Sequence, residues 1–419
     1  MLLLPPVAGK YAWARDVALV YLVPALLINF GNVAAYLFQV LLGRSLSVEA
    51  FGSFNALFSA VLILTAPANF LPLIVAQAAM ALGGDPAGER TVLQKFLLFA
   101  SIGAALLCAI GLVLGAVFGQ RFEIGLWTGL AALVTIAGSC LHPVVVGLIQ
   151  ARRRYVQAAL LVGGNPLLRL VFGFLLVAAL GWGSAGAMWS VALPVVATFL
   201  LGLGFLTNLL RVRGTALPDA LNLLLRRASW RQAATVAMLT AISNLDVVMA
   251  QLILSGEPAG LYSGAAVVSR IALLLPSALA TIIFTEAARN HAGEGSRMPW
   301  SGIALTALLA GSIGVLFAAG GEVIMVLMLG EEFAPAGALL RITGVAMALL
   351  SVSQAIVMAL AGRGTFSYIG VLAACLAALA ILPPVFKPDA AELAFLVLLV
   401  NCGLLAACVV IALRGSRRA

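Results

Sequence analysis

Long apolar segments recur along the whole chain and are separated by short polar breaks. Most of them reach the roughly 20 residues that a helix needs to cross the hydrocarbon core of a membrane. The strict alternation over about ten residues that is typical of membrane barrel strands is absent. The pattern therefore predicts an all-α polytopic membrane protein with twelve transmembrane helices. The predicted spans 1 to 12 are 17–43, 51–80, 96–118, 125–150, 157–180, 185–209, 231–255, 261–288, 301–319, 334–361, 365–386 and 390–413.

The composition supports a membrane protein and excludes two other classes. Of the 419 residues, 63% are hydrophobic and only 9% are charged. A soluble domain carries about a quarter charged residues, so an ordinary cytosolic enzyme is excluded. Disorder is excluded as well, because it requires low hydrophobicity and high charge.

The net charge of +9 is explained by the distribution of the 24 basic residues over the predicted loops. When the loops are assigned alternately to the two sides, 18 basic residues fall on one side and 3 on the other. The positive-inside rule then predicts a multi-pass protein with both termini in the cytoplasm. The charge excess is a topological signal, and no nucleic-acid partner is predicted.

The two halves of the sequence resemble each other at a nearly constant offset. Residues 48–54 align with 256–262 at an offset of 208, and 118–122 align with 329–333 at an offset of 211. Arg152 falls on Arg363 at the same offset of 211. Six spans per repeat predict two parallel lobes related by an axis along the membrane normal, which is a common transporter plan. The predicted division is an N-lobe at 1–209, a cytoplasmic linker with an amphipathic helix at 210–230, and a C-lobe at 231–419.

Signatures of catalysis, metal binding and cofactor binding are missing from the sequence. No phosphate-binding loop of the Gly-x-x-x-x-Gly-Lys-Ser/Thr type occurs. The two histidines, His142 and His291, are far apart, and no cluster of His, Cys, Asp and Glu has metal-ligand spacing. We therefore predict neither an enzyme nor a metal or cofactor site.

Arg231 and Glu392 stand in the first residues of their spans and are counted with the adjacent loops. Three other arginines and two other acidic residues fall inside predicted spans, where a charge needs a partner, water or a function. For Arg270, we favour a role as a cavity-lining residue that binds an anion over a role in a purely structural ion pair. For Arg169 and Arg341 these two interpretations remain equal, since arginine also ties helices together or reaches to the interface. Asp246 and Glu286 are candidates for ion coupling or ion pairing. Asp246 lies at a depth where it could pair with Arg270, whereas Glu286 lies near the cytoplasmic end, where solvation explains it.

Helix-breaking residues recur in the early spans of both repeats. Broken helices at equivalent positions of two repeats mark binding sites and moving parts in transporters, although proline and glycine are also tolerated in ordinary membrane helices. We predict interruptions in spans 1, 2, 7 and 8, with Asn29, Asn32 and Asn244 as polar groups of a cavity. The residues concerned are Pro24, Asn29 and Asn32 in span 1, Pro67, Asn69 and Pro72 in span 2, Asn244 in span 7, and Pro276 in span 8.

Several segments carry a family resemblance that extends over nearly the whole chain. They are NVAAYLFQVLLGRSLSVEAFGSF at 32–54, NLDVVMAQLILSGEPAGLYSGAAVVSRIALLLP at 244–276, LGEEFAPAGALLRI at 329–342, and Gly362-Arg363-Gly364 after span 10. On these segments the chain resembles the polysaccharide flippases, the Wzx-like transporters, of the multidrug/oligosaccharidyl-lipid/polysaccharide exporter (MATE-like) superfamily.

The resemblance implies two six-helix lobes in a V-shaped bundle that works by alternating access in a bacterial cytoplasmic membrane. It implies a substrate of undecaprenyl-pyrophosphate-linked oligosaccharide, flipped from the inner to the outer leaflet for cell-surface polysaccharide synthesis. The expected partners are this lipid-linked substrate, membrane lipid, and a polysaccharide polymerase or other glycan-assembly proteins. Arg270 and Arg169, and less closely Arg341, match the cationic cavity of such flippases.

Three alternatives remain open on the sequence. A cation-coupled multidrug exporter of the same superfamily should carry acidic residues in its cavity, whereas this chain has three arginines and two acids in its spans. A peptidoglycan-precursor flippase shares fold and chemistry but usually has two additional helices. A non-transporting scaffold of glycan assembly would need neither interrupted helices nor arginines inside the membrane.

Overall fold

Helices make up nearly all of the described chain in the computed structural model. The structure describes residues 22–122, 124–212, 230–254, 256–274, 276, 279–280, 282–284, 286–287 and 298–416. The α-helices of the N-terminal half are α1 (Val23–Ser45), α2 (Val48–Thr65), α3 (Leu71–Met80), α4 (Pro86–Phe118), α5 (Leu126–Ala151), α6 (Tyr155–Gly173), α7 (Gly183–Phe205) and α8 (Thr207–Leu210). Those of the C-terminal half are α9 (Trp230–Ile242), α10 (Leu245–Ile253), α11 (Gly256–Ser269), α12 (Ile271–Leu274), α13 (Trp300–Leu329), α14 (Gly337–Gly362), α15 (Ile369–Phe386) and α16 (Ala390–Ser416).

The predicted all-α polytopic architecture is confirmed. Within the described residues, ten helices are long and apolar enough to cross a membrane, and they match predicted spans 1 to 6 and 9 to 12. The pair α9 and α10, bent by 40°, forms an eleventh and matches span 7. Span 8 corresponds to α11, α12 and short helical stretches up to residue 287.

The helix boundaries reproduce the internal repeat. Helices α5 and α14 have 26 residues each, and both ends are separated by 211 positions. Helices α2 and α11 begin 208 positions apart, and α4 and α13 end 211 positions apart. The two halves of the sequence therefore encode the same succession of helices.

Three of the four predicted interruptions are present, and the fourth is wrong. Span 2 changes to a 3-10 helix at Ala66–Phe70, which contains Pro67 and Asn69, and span 7 breaks between Ile242 and Leu245. Span 8 breaks at Arg270, six residues before Pro276.

Span 1, in contrast, is one continuous helix from Val23 to Ser45. Pro24 lies at the start of the described part of this helix, and the residues before Leu22 lie outside the described residues. The Asn29 amide donates a hydrogen bond of 2.8 Å to the carbonyl of Ala25, one turn earlier. Asn29 therefore bonds within its own helix and does not interrupt it.

Contacts between described residues divide the chain into two compact units. Unit 1 comprises residues up to Leu41, Ala68–Val113 and the described part of Gly125–Ala228, and unit 2 comprises Leu42–Pro67, Leu114–Ile124 and the described part of Ser229–Ala419. The predicted lobes divide the sequence between its two repeats. The units are defined by contacts instead, and they group 42–67 and 114–124 with the C-terminal half. The predicted amphipathic helix of the linker lies outside the described residues.

Unit 1 has its hydrophobic core where α3, α4, α5 and α6 meet. Val75, Leu93, Leu148 and Leu161 are completely buried there. Burying such side chains stabilises the fold by about 1.5–3 kcal/mol each.

Within unit 2, the repeat-equivalent helices α2 and α11 pack against each other at close range. A Cβ atom at Gly52 would lie 2.7 Å from the Cα of Gly260, the residue 208 positions later. Since that distance is too short for two carbons, the close approach requires glycine on both sides. Around it, Phe51 packs edge-on against Phe333, and the Arg44 guanidinium donates a bond of 2.7 Å to the Leu327 carbonyl.

Candidate functional site

The breaks in spans 7 and 8 bring Asp246 and Arg270 together in unit 2. The Arg270 Nη2 lies 3.8 Å from the Asp246 Oδ1, so the pairing that the sequence analysis left open is present. The side chain of Asp246 is completely buried and that of Arg270 is 14% exposed. A buried ion pair of this kind exists at a desolvation cost, which makes it weak evidence for stability and leaves a functional role open.

Local structure at the two breaks explains why these side chains meet. Arg270 stands between α11 and α12, where its carbonyl accepts the N–H groups of Leu273 and Leu274 at 3.0 and 2.9 Å. Asp246 lies in the first turn of α10, where the helix dipole favours a negative charge. The completely buried Tyr262 donates its hydroxyl to the Asp246 Oδ2 at 3.4 Å. The carboxylate is thus held by a cation, a phenol and a helix N-terminus.

A cavity of about 170 Å³ in unit 2 is lined by residues that follow Arg270 and precede Asp246 in the chain, among them Leu273, Leu274 and Ser243. Its walls come from α9 and the break after it, α12 and α14, and they combine leucine side chains with the polar Thr240, Ser243 and Gln354. Asn244 is buried next to it and donates to the Thr240 carbonyl and the Ser243 hydroxyl at 2.8 and 3.0 Å. Within the described part of the chain, the Oδ1 atom of Asn244 accepts no hydrogen bond. A buried acceptor of this kind suits a hydroxyl-bearing ligand.

Unit 1 contains a second cationic cluster around Arg169 of α6. The guanidinium carbon lies 5.8 Å from the centre of the Phe38 ring, a cation–π distance. Its Nη2 donates to the Oδ1 of Asn165 at 3.4 Å, and the Nδ2 of Asn165 lies 3.4 Å from the Thr198 hydroxyl. These contacts orient the guanidinium near the middle of the Tyr155–Ala179 span.

The other predicted site residues lie outside these two clusters. Arg341 is exposed on the second turn of α14, with its Cγ beside Gly321, and Glu286 is exposed in the helical stretch 286–287. Asn29 and Asn32 are exposed on α1. Of the predicted set, the structure therefore brings Arg270 and Asp246 together, with Asn244 two residues before Asp246, and places Arg169 in a cluster of its own.

Four residues of the clusters, Phe38, Asn165, Thr198 and Tyr262, were missed by the sequence analysis. Asn165 precedes Arg169 by four positions, and this helical spacing is a signal that could have identified it. Tyr262 and Thr198 have no such signal, because they approach Asp246 and Asn165 from other helices. Within the described ranges, no three His, Cys, Asp or Glu side chains converge to hold a metal ion.

Comparison with known proteins gives matches to solved structures alone. No family model and no curated protein sequence matches this chain. A multidrug resistance MATE family transporter of the MOP superfamily, in its inward-facing conformation, aligns with a TM-score of 0.74 at 13% identity and covers 96% of this chain and 98% of its own. The lipid II flippase MurJ aligns with a TM-score of 0.67 at 11% identity, over 92% of this chain and 86% of its own.

A MOP superfamily transporter from Pyrococcus furiosus, described with a binding pocket of reverse polarity that suggests a different function, aligns with a TM-score of 0.60 at 16% identity. It covers 96% of this chain and 94% of its own. At these identities the likeness concerns the fold alone. This chain has the fold of the MATE-like transporters of the MOP superfamily.

Proposed function

We propose that this protein is a flippase that moves an undecaprenyl-pyrophosphate-linked oligosaccharide from the inner to the outer leaflet of a bacterial cytoplasmic membrane. The observation that carries the proposal is a pair of arginines inside apolar spans, one in each repeat. Arg270 and Arg169 are each fixed by neighbours rather than extended into solvent. Charges at such positions are costly, and in membrane proteins they mark substrate and ion pathways.

Guanidinium groups are suited to a pyrophosphate. They bind phosphate oxygens through two parallel hydrogen bonds, and these bonds are stronger in a site that excludes water. In unit 2 the incoming anion would compete with Asp246 for Arg270, since the present contact of 3.8 Å is longer than a charge-assisted hydrogen bond. Asp246 would be exposed to protonation or a cation each time the pyrophosphate replaced it, which is a route to ion coupling.

The neutral groups around the cavity of unit 2 fit a sugar. Thr240, Ser243 and Gln354 supply hydroxyl and amide groups, and Asn244 supplies an acceptor. The polyprenyl tail would stay in the surrounding lipid. A membrane potential that is negative inside would favour outward movement of the anionic headgroup by about 2.3 kcal/mol per charge per 100 mV. We place both termini in the cytoplasm and expect a polysaccharide polymerase among the partners.

Two related activities share this fold and give different expected results. A multidrug exporter is the second candidate, because the MATE transporter gives the higher of the TM-scores reported above. A peptidoglycan-precursor flippase is the third, because the lipid II flippase also aligns over most of the chain. The Pyrococcus transporter indicates that the polarity of the pocket can vary within the superfamily.

Deletion of the protein from its native cell separates these functions. We expect surface polysaccharide to be lost and its undecaprenyl-pyrophosphate-linked precursor to accumulate, as measured by mass spectrometry of extracted lipids. Drug susceptibility should not change. Normal surface polysaccharide with increased drug susceptibility would support the exporter, and accumulation of a peptidoglycan precursor would support the third candidate.

Arg169 gives a prediction about geometry as well as charge. Arg169→Lys keeps the positive charge but loses the planar group that stacks near Phe38 and bonds to Asn165. We expect polysaccharide export to fall by about tenfold, equivalent to roughly 1.4 kcal/mol, because a lysine binds phosphate as a point charge. Arg169→Gln should lower it further. Full export in both variants, at equal protein levels, would contradict a role in binding the anion.

A further inference from the structure

The end of α5 has the same backbone conformation as its equivalent in the second repeat but a different residue in the left-handed position. Arg153 has a φ of 58° and Gly364, 211 positions later, has a φ of 69°. The three hydrogen bonds that close α5 and the three that close α14 join equivalent residues. They link Arg152, Arg153 and Arg154 to Leu148, Gln150 and Ile149, and Arg363, Gly364 and Thr365 to Ala359, Ala361 and Leu360.

Arginine is therefore held in a left-handed conformation where glycine closes the same motif. The left-handed region costs a residue with a Cβ roughly 1–2 kcal/mol, and glycine avoids this cost. The first repeat bears this conformational cost at Arg153, although the second repeat avoids it by placing Gly364 at the equivalent position. Residues held in strained backbone conformations cluster at functional sites, so the surroundings of the Arg153 side chain are of interest.

Arg153 lines a cavity of about 610 Å³ together with Arg152 and Arg154. The acidic residue of its lining is Glu89, which is 2.6 Å from the Arg152 guanidinium. Arg154 donates a bond of 3.3 Å to the Phe205 carbonyl, a neutral partner. The lining of the cavity therefore carries three guanidinium groups and one carboxylate, and this excess of positive charge suits an anion.

The position of the cavity identifies the kind of anion. It lies where α3 and α5 end and where α4 and α6 begin, and the spans that contain these helices are long enough to cross a membrane. The four helix ends around the cavity therefore lie at the level of lipid headgroups. Met80, 58% exposed on the wall of the cavity, provides an apolar surface beside the arginines.

We infer that this cavity binds the phosphate headgroup of an anionic glycerophospholipid, with Arg153 as its main ligand. Basic pockets between helix ends on the cytoplasmic side of membrane proteins hold such headgroups. The site is separate from the clusters around Arg169 and Arg270 and does not depend on the proposed transport function. Arg152 is fixed by Glu89, and Arg153 and Arg154 are exposed and accessible to the lipid.

The test compares lipid retention by variants of the full-length protein. The purified protein would be incubated with vesicles that contain phosphatidylglycerol and phosphatidylcholine, and retained lipid would be measured by native mass spectrometry. We expect the preference for phosphatidylglycerol to fall about fivefold in Arg153→Gly and in Arg153→Gln, close to the value of ~1 kcal/mol for one basic residue near an anionic surface. The glycine variant should unfold at the same or a higher temperature, because it relieves the backbone strain.

Arg414→Gln is the matched control, because Arg414 is another exposed arginine in the last turn of a long helix. It should keep the preference. The inference would be overturned if both Arg153 variants retained the preference, or if the Arg414 variant lost as much. Full displacement of the lipid by millimolar inorganic phosphate would also overturn it, since the site would then be one for a free anion.

Discussion

Replacing Arg270 with alanine is expected to abolish transport of the lipid-linked oligosaccharide. Truncating one member of a buried charged contact costs about 2–5 kcal/mol, so we expect a loss of at least ~30-fold. Transport would be measured as surface polysaccharide in a deletion strain that expresses the variant, at a matched amount of protein in the membrane. Arg270→Lys should retain part of the activity, because it keeps the charge but not the planar group.

A second variant separates substrate binding from folding. Arg270→Ala leaves Asp246 buried without its counter-charge, which can destabilise a protein by about 3–5 kcal/mol. The double variant Asp246→Asn with Arg270→Ala removes both charges and should restore the thermal stability of the purified protein. If the double variant also restores transport, Arg270 is merely the structural partner of Asp246 and the proposed anion role is wrong.

Replacing Gly260 with alanine is expected to destabilise unit 2 by about 1–3 kcal/mol, the usual cost of overpacking. A Cβ atom at this position would overlap the backbone carbonyl of Val48, which cannot rotate away as a side chain can. Helices α2 and α11 would have to separate, and the contacts of Phe51 with Phe333 would be strained. The measurement is the midpoint of thermal unfolding of the purified protein.

Gly311→Ala is the matched control for this prediction. Gly311 lies inside α13, and a Cβ atom there would meet no other atom within 4 Å. Because alanine favours the helix over glycine by roughly 0.5–1 kcal/mol, this variant should be as stable as the parent protein or more so. Equal midpoints for the Gly260 and Gly311 variants would mean that the close approach of α2 and α11 is not needed for stability.

Features that depend on local sequence were predictable. The length of the apolar segments was enough to predict ten of the spans, because the hydrocarbon core sets a minimum length for a helix that crosses it. The repeat predicted equivalent helix ends such as Ala151 and Gly362. The similar depth of Asp246 and Arg270 in adjacent spans made their pairing possible but did not decide it, and the structure shows it.

Features that depend on tertiary packing were not predictable. Pro24, Asn29 and Asn32 indicated a broken span 1, but the described part of that span is a continuous helix, in which Asn29 bonds back to the carbonyl of Ala25. Tyr262 reaches Asp246 from another helix, and no sequence spacing announces it. The strained backbone of Arg153 was also invisible, because its residue type gives no sign of a left-handed conformation.

The central claim, transport of a pyrophosphate-linked glycan, is tested most directly with purified protein in vesicles. A fluorescent undecaprenyl-pyrophosphate-linked sugar would be incorporated into both leaflets, and a reductant that cannot cross the membrane would quench the outer pool. With the parent protein we predict that the protected inner pool becomes accessible to the reductant, and that with Arg270→Ala it stays protected. An inner pool that stays protected with the parent protein, in vesicles where the same preparation moves a cationic drug, would contradict the account.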